Sequence, residues 1–269
     1  MKKINMTREE NVFFAKRNLV DTIYRSIKLE GLAVTFPQTE VIIHGGEISG
    51  VRADEVIAVN NLKHAWSFLL DNLDYPLDYA YLCKLHQLVG SNLIQSPGYL
   101  RRGEVTIGGI DPSVWKPDIP NEEQFCFEMR KLRLIENPVD RAIDTMLYCM
   151  RYQPFWDGNK RTAMLAANQI LIANGCGIVS VPESKLVDFK KQVIDYYLTN
   201  DMKTIKNFIL ENCVNGIDMS KERNAVKKEL PPLDMKIALA ELEKDKLDYE
   251  KFFSTENIKQ HKDKEEKER

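Results

Sequence analysis

The chain has 269 residues, 43% of them hydrophobic, and a formal net charge of −2, so it can fill one large core or two small ones and is not a general nucleic-acid binder. No apolar run approaches membrane-spanning length, and the amino terminus MKKINMTREENVFFAK turns polar where a signal peptide needs an apolar centre; a cytoplasmic location is expected. The five cysteines, Cys83, Cys126, Cys149, Cys176 and Cys213, are far apart and sit in apolar runs, which reads as reduced core thiols.

Taken in order, residues 8 to 30 repeat apolar positions at helical spacing (Val12, Phe13, Leu19, Val20, Ile23, Ile27) and predict one helix that stops at Gly31. Residues 32 to 52 hold β-branched residues and paired glycines without a helical period, which predicts a short hairpin or a loop. Ala53 to Leu73 and Leu77 to Leu93 return to helical spacing and carry His64 and His86. His64 reads as a surface or satisfied core residue. His86 is a replacement base only if it faces a site, and its structural reading is preferred.

Ser96-Pro97-Gly98 breaks the second of these helices, and Glu104-Val105-Thr106-Ile107-Gly108-Gly109 alternates β-formers before two glycines, which predicts a hairpin between helices. Asn121 caps the next helix with Gln124 at its third position, and Pro138 separates that helix, ending near Glu136, from one over Val139 to Tyr152. Further helices are predicted from about Asn159 to Asn174, Pro182 to Leu198 and Met202 to Asn212. Near eight helices and one hairpin make an all-α core, with residues 1–216 as the main domain. Residues 217–269, rich in Lys and Glu, read as a charged tail, with a helix over Met235 to Phe253 and a disordered end.

Between two apolar helices lies Gln153-Pro154-Phe155-Trp156-Asp157-Gly158-Asn159-Lys160-Arg161. Pro154 and Gly158 stop the first helix, and a new helix directly after such a turn presents unpaired N–H groups and the positive end of its dipole. With Lys160 and Arg161 added, the expected ligand is a phosphate. Asp157 is a hard oxygen donor placed to hold Mg²⁺ against it.

This string resembles the signature of the Fic/Doc family, H-P-F-x-[D/E]-G-N-[G/K]-R-x-x-R. It departs at two positions, where Gln153 stands for the histidine and Met164 for the last arginine. The resemblance spans roughly residues 20 to 215 and implies a Fic-type helical bundle with a small β-hairpin flap. It further implies a nucleotidyltransferase that binds Mg-ATP and passes AMP to a Ser, Thr or Tyr hydroxyl of a target protein. In that scheme Asp157 holds the metal, while Gly158, Asn159, Lys160 and Arg161 hold the phosphates. Val105, Thr106, Ile107, Gly108 and Gly109 form the flap that aligns the target by main-chain pairing; a hairpin that only covers the core is the alternative. An antitoxin partner is also in keeping with the family.

Ser26-Ile27-Lys28-Leu29-Glu30-Gly31 matches the family pattern of an inhibitory helix, in which a glutamate pairs with the last arginine of the signature. Here that arginine is Met164, so Glu30 is either an inhibitor without its usual partner or a solvated residue. Gln153 occupies the catalytic position but cannot move a proton near neutral pH, and losing a general base costs on the order of 10²–10⁴ in rate. A slowed adenylyltransferase and a catalytically inactive nucleotide-binding or interaction protein both fit. Lys160 leaves a third reading open, since Doc-like relatives with lysine bind ATP reversed and transfer the γ-phosphate.

Overall fold

The computed structural model describes residues 4–220. They form ten α-helices: α1 (Arg8–Arg17), α2 (Leu19–Leu29), α3 (Phe36–Ile43), α4 (Ala53–Asp71), α5 (Tyr79–Gly90), α6 (Glu122–Arg133), α7 (Pro138–Tyr152), α8 (Asn159–Ala173), α9 (Leu186–Thr199) and α10 (Met202–Asn212). The expected charged tail lies, from residue 221 on, outside the described residues. None of the described helices is long and apolar enough to cross a membrane.

The organising element is α8. It packs against α1, α4, α5 and α7, and every residue from Arg161 to Ile172 is buried. A helix apolar on one stripe can sit at a surface, but one surrounded on all sides must carry small or apolar residues nearly throughout. Ala163, Ala166 and Ala167, all fully buried, satisfy this and let α7 lie close. The polar members Asn168 and Gln169 are spent on backbone: Asn168 accepts from Val179 N and donates to Val179 O, both at 2.9 Å, and Gln169 donates to Tyr75 O at 2.9 Å.

Three elements differ from expectation. Residues 8 to 30 form two helices because Asn18, whose Nδ2 donates to Phe14 O at 2.8 Å, competes for the backbone of the first helix. Its own carbonyl then accepts from Thr22 N at 2.9 Å, opening the second helix without any break in the apolar period. Within 32–52, α3 forms behind a capping box, Thr35 with Gln38, and Pro37 in the first turn. The β-branched run Val41-Ile42-Ile43 concealed it.

The all-α bundle does carry one small antiparallel pair, but it is not at 104–109. It joins β1 (Ile178–Val179) to β2 (Val214–Asn215), with Val179 opposite Val214. Residues 104–109 have no strand partner among the described residues. They nevertheless alternate, Glu104 and Thr106 exposed, Val105 and Ile107 half-buried, as a single extended ribbon does.

Candidate functional site

Gln153 ends α7 in the left-handed region, φ 50° and ψ 59°, so the chain reverses sharply into Pro154 and Phe155. Phe155 is fully buried and stacks flat on the His86 ring at 3.7 Å between centroids. His86 Nδ1 accepts from Gly98 N at 2.8 Å, which leaves Nε2 to carry the proton and donate to Asp157 O at 2.9 Å. Both ring nitrogens are thereby committed to backbone. Burial, foremost, pushes the imidazole pKa down to about 4, so His86 is a neutral prop under the turn and not a base in the site.

Asn159 closes the turn from the other side. Its Oδ1 accepts from Phe155 N at 2.9 Å, and its Nδ2 donates to Phe155 O at 2.8 Å and to Gln153 Oε1 at 2.9 Å. The Gln153 amide nitrogen donates to Met150 O and, at 3.3 Å, to the buried hydroxyl of Tyr197. Gly158 then takes φ 72°, a conformation that favours glycine, and an added Cβ would press on Ile94 Cδ1 at 3.0 Å.

The start of α8 has no side-chain cap, unlike α1, α3, α5, α6, α7 and α10, which Thr7, Thr35, Asp78, Asn121, Asn137 and Asp201 cap. The donors of its first turn and the positive dipole end therefore face outward. They face a cavity of about 380 Å³. Gln153, Trp156, Asp157, Asn159 and Lys160 form one wall, Glu30 a second, Val105 to Gly108 a third, and Lys190, Ile194 and Tyr197 of α9 the fourth.

Charges inside this wall are coupled. Glu30 Oε2 lies 3.5 Å from Lys160 Nζ and Glu30 Oε1 lies 3.9 Å from Arg161 Nε. Arg161 also donates from Nη2 to Asp157 Oδ2 at 3.2 Å. Among the described residues neither Arg161 Nε nor Glu30 Oε1 has a hydrogen-bond partner, although both atoms are buried. Met164 is buried in the core, and Glu30 faces the two cations of the turn instead.

The other predicted residues divide. Val105, Thr106, Ile107 and Gly108 line the cavity; Gly109 does not, and turns away at φ 85° near Ile194. Ser26 lies away from it, with its hydroxyl donated to Thr22 O at 3.0 Å. The sequence reading missed the α9 wall, since a helix face announces its period and not what it faces. It also missed Arg101, whose guanidinium partners include Gln153 O and Asp118 O, distant in the chain. Two carboxylates line the cavity, Asp157, two-thirds exposed, and Glu30, which faces Lys160 and Arg161; no group of three or more His, Cys, Asp or Glu able to hold an ion occurs among the described residues. That suits Mg²⁺, which keeps waters and takes one or two carboxylates with substrate phosphates.

Residues 76–171 match the Fic/DOC family model. Fic-type proteins are among the relatives: a protein adenylyltransferase Fic of Drosophila melanogaster is 24% identical over 212 residues, covering 73% of this chain and 41% of its own. The Drosophila yakuba protein of the same name is 25% identical over 175 residues, 61% of this chain and 34% of its own. The chain therefore spans about two fifths or less of the length of these relatives. A Fic-1 fragment from C. elegans superimposes with a TM-score of 0.62 at 20% identity, covering 74% of this chain and 62% of the fragment. A Fic domain containing signaling protein from Bacteroides thetaiotaomicron gives 0.60 at 17%, covering 77% and 85%. The fold is that of the Fic-type bundle, and the matched segment runs from just before α5 almost to the end of α8.

Proposed function

We propose that this chain is a Fic-type nucleotidyltransferase that binds Mg-ATP and passes AMP to a hydroxyl of a target protein, at a rate reduced by Gln153. One observation carries the reading: the uncapped start of α8 opens on a cavity lined by Lys160, and the adjoining Arg161 keeps a buried nitrogen, Nε, with no hydrogen-bond partner among the described residues. An anion supplies that partner.

The first-turn amides of α8 and Arg161 hold the phosphates and stabilise the charge that develops on them. Asp157 holds Mg²⁺, which when bound neutralises phosphate oxygens. The ribbon at 104–106 makes no backbone-to-backbone hydrogen bond among the described residues, so its edge is open to an extended target segment carrying the Ser, Thr or Tyr hydroxyl. The hydroxyl oxygen attacks the α-phosphorus, the bond from that phosphorus to the bridging oxygen breaks and pyrophosphate leaves; Gln153 orients but takes no proton, so the hydroxyl proton passes to solvent. Glu30 competes with the phosphates for Lys160 and Arg161, which makes it an inhibitory group that acts through different cations from the family's. An antitoxin would be one partner able to move it.

A second reading is a nucleotide-binding Fic-type pseudoenzyme, and it too has a specific observation in its favour. Every hydrogen-bonding group of the Gln153 side chain is spent on Asn159, Met150 and Tyr197, as a purely structural amide would be. Incubation of the full chain with α-labelled or γ-labelled ATP and a lysate separates the readings. Label from the α position supports adenylylation, γ label alone supports a Doc-like kinase, and neither label with retained nucleotide binding supports the pseudoenzyme.

A further inference from the structure

Arg101 is 1% exposed, yet it makes no ion pair with a carboxylate among the described residues. Its guanidinium is surrounded by carbonyls: Nε donates to Gln153 O at 2.7 Å, Nη1 to Gly103 O, and Nη2 to Asp118 O and, at 3.5 Å, to Pro117 O. Its backbone N–H donates to Pro154 O at 3.0 Å. These acceptors have a pattern. Gly103 is where the loop 104–116 departs, Pro117 and Asp118 are where it returns, and Gln153 and Pro154 begin the signature turn.

From this arrangement we propose that Arg101 is the positioning residue of the site: its guanidinium closes the neck of the loop 104–116 and fixes it to the Gln153 backbone. The role of that loop in receiving a target rests on the function proposed above; the clamp itself does not.

Only a planar group with five donors in fixed directions can bind three separate chain segments at once, which is why lysine would not substitute. The loop's other anchors are weaker or more distal. Lys116 pairs with Glu104 at 2.7 Å, but both are exposed and salt screens them. Trp115 packs on Tyr197 with ring centroids 5.4 Å apart, under the Arg151 guanidinium at 5.0 Å, and holds the loop's far side to α9. Indole packing of Trp156 against Gly103, where a Cβ would come within 2.7 Å of the ring, seats the neck on the signature turn from outside. Among the described residues, Arg101 is the one side chain hydrogen-bonded to departure, return and turn together.

The test is amide hydrogen exchange of the full chain, for the wild type, Arg101→Lys and Arg101→Met, with titration of Mg-ATP alongside. The expected result for Arg101→Met is exchange at least tenfold faster across 104–116, with the amides of α7 and α8 keeping their protection. Arg101→Lys should fall between, since an ammonium reaches only part of the carbonyl set. Unchanged exchange in 104–116 overturns the clamp. Faster exchange spread equally over α7 and α8 also overturns it, because Arg101 would then support the core and not the loop. Should the wild type bind no Mg-ATP, the nucleotide reading fails while the exchange comparison still decides the role of Arg101.

Discussion

Asn159 Nδ2 donates to Gln153 Oε1 at 2.9 Å, so the side chain at the catalytic position is tied across the turn to the first residue of α8. Gln153 is thereby part of the scaffold that shapes the turn at the start of α8. Whether that scaffold still supports chemistry is open to direct test through position 153.

Gln153→His supplies a group with an ordinary pKa near 6.5 at a backbone conformation that histidine tolerates better than most residues. The expected outcome is an increase in AMP transfer to protein of roughly 10²-fold or more, read with α-labelled ATP. No transfer by the variant, with nucleotide binding intact, would move the assignment to the pseudoenzyme.

Glu30→Ala removes the carboxylate that lies 3.5 Å from Lys160 and 3.9 Å from Arg161. A partly buried pair of this geometry is worth about 1 kcal/mol, so the affinity for ATP should rise roughly fivefold, more at low salt than at high. Calorimetric titration at two ionic strengths measures both effects. Equal affinity for variant and wild type would mean that Glu30 does not compete with the nucleotide.

Asp157→Asn keeps the size of the side chain and removes its charge. Its ion pair with Arg161 is too exposed on the aspartate side to matter much for folding, so the melting temperature should shift by only a degree or two. Magnesium should no longer strengthen ATP binding. Retention of the full magnesium effect in this variant would place the ion elsewhere.

His86 gives the fold a pH dependence of defined sign. Its pKa falls from about 6.5 in the unfolded chain to about 4 in the folded one, burial being the main cause, so between these values the unfolded state binds a proton that the folded state does not. Its contribution is therefore fully present above pH 6.5 and is lost progressively as the pH falls toward 4, where it flattens, a total of ~3 kcal/mol. Urea titrations from pH 7 to 4 should show this slope. In His86→Gln, less stable throughout because one of two backbone partners is lost, the slope over that window should be shallower.

Much of the site was legible in sequence because it is local. Pro154, Gly158, Asn159 and Arg161 lie within eight positions of one another, and turn stereochemistry plus the start of a helix dictate what such a string does. Asp157 and Lys160 line the cavity from the same short stretch. By contrast, the hairpin expected at 104–109 failed as a hairpin because alternation of side chains specifies an extended ribbon and says nothing of whether a second strand lies beside it. The Asn18 break and the Thr35 cap went unseen because one short polar side chain outweighed an apolar period on either side.

What the sequence by itself determined, then, is the sharp turn between two apolar helices and the charges it carries, since backbone angles and helix dipoles depend on neighbours in the chain. Tertiary structure alone decided that Glu30, more than a hundred residues earlier, meets Lys160 and Arg161, that His86 is a prop and not a base, and that Arg101 holds the cavity's third wall. Those outcomes depend on which buried polar groups find partners when the helices close around α8. That is a property of the packed whole, because each unpaired group costs too much to leave and its partner can come from any part of the chain.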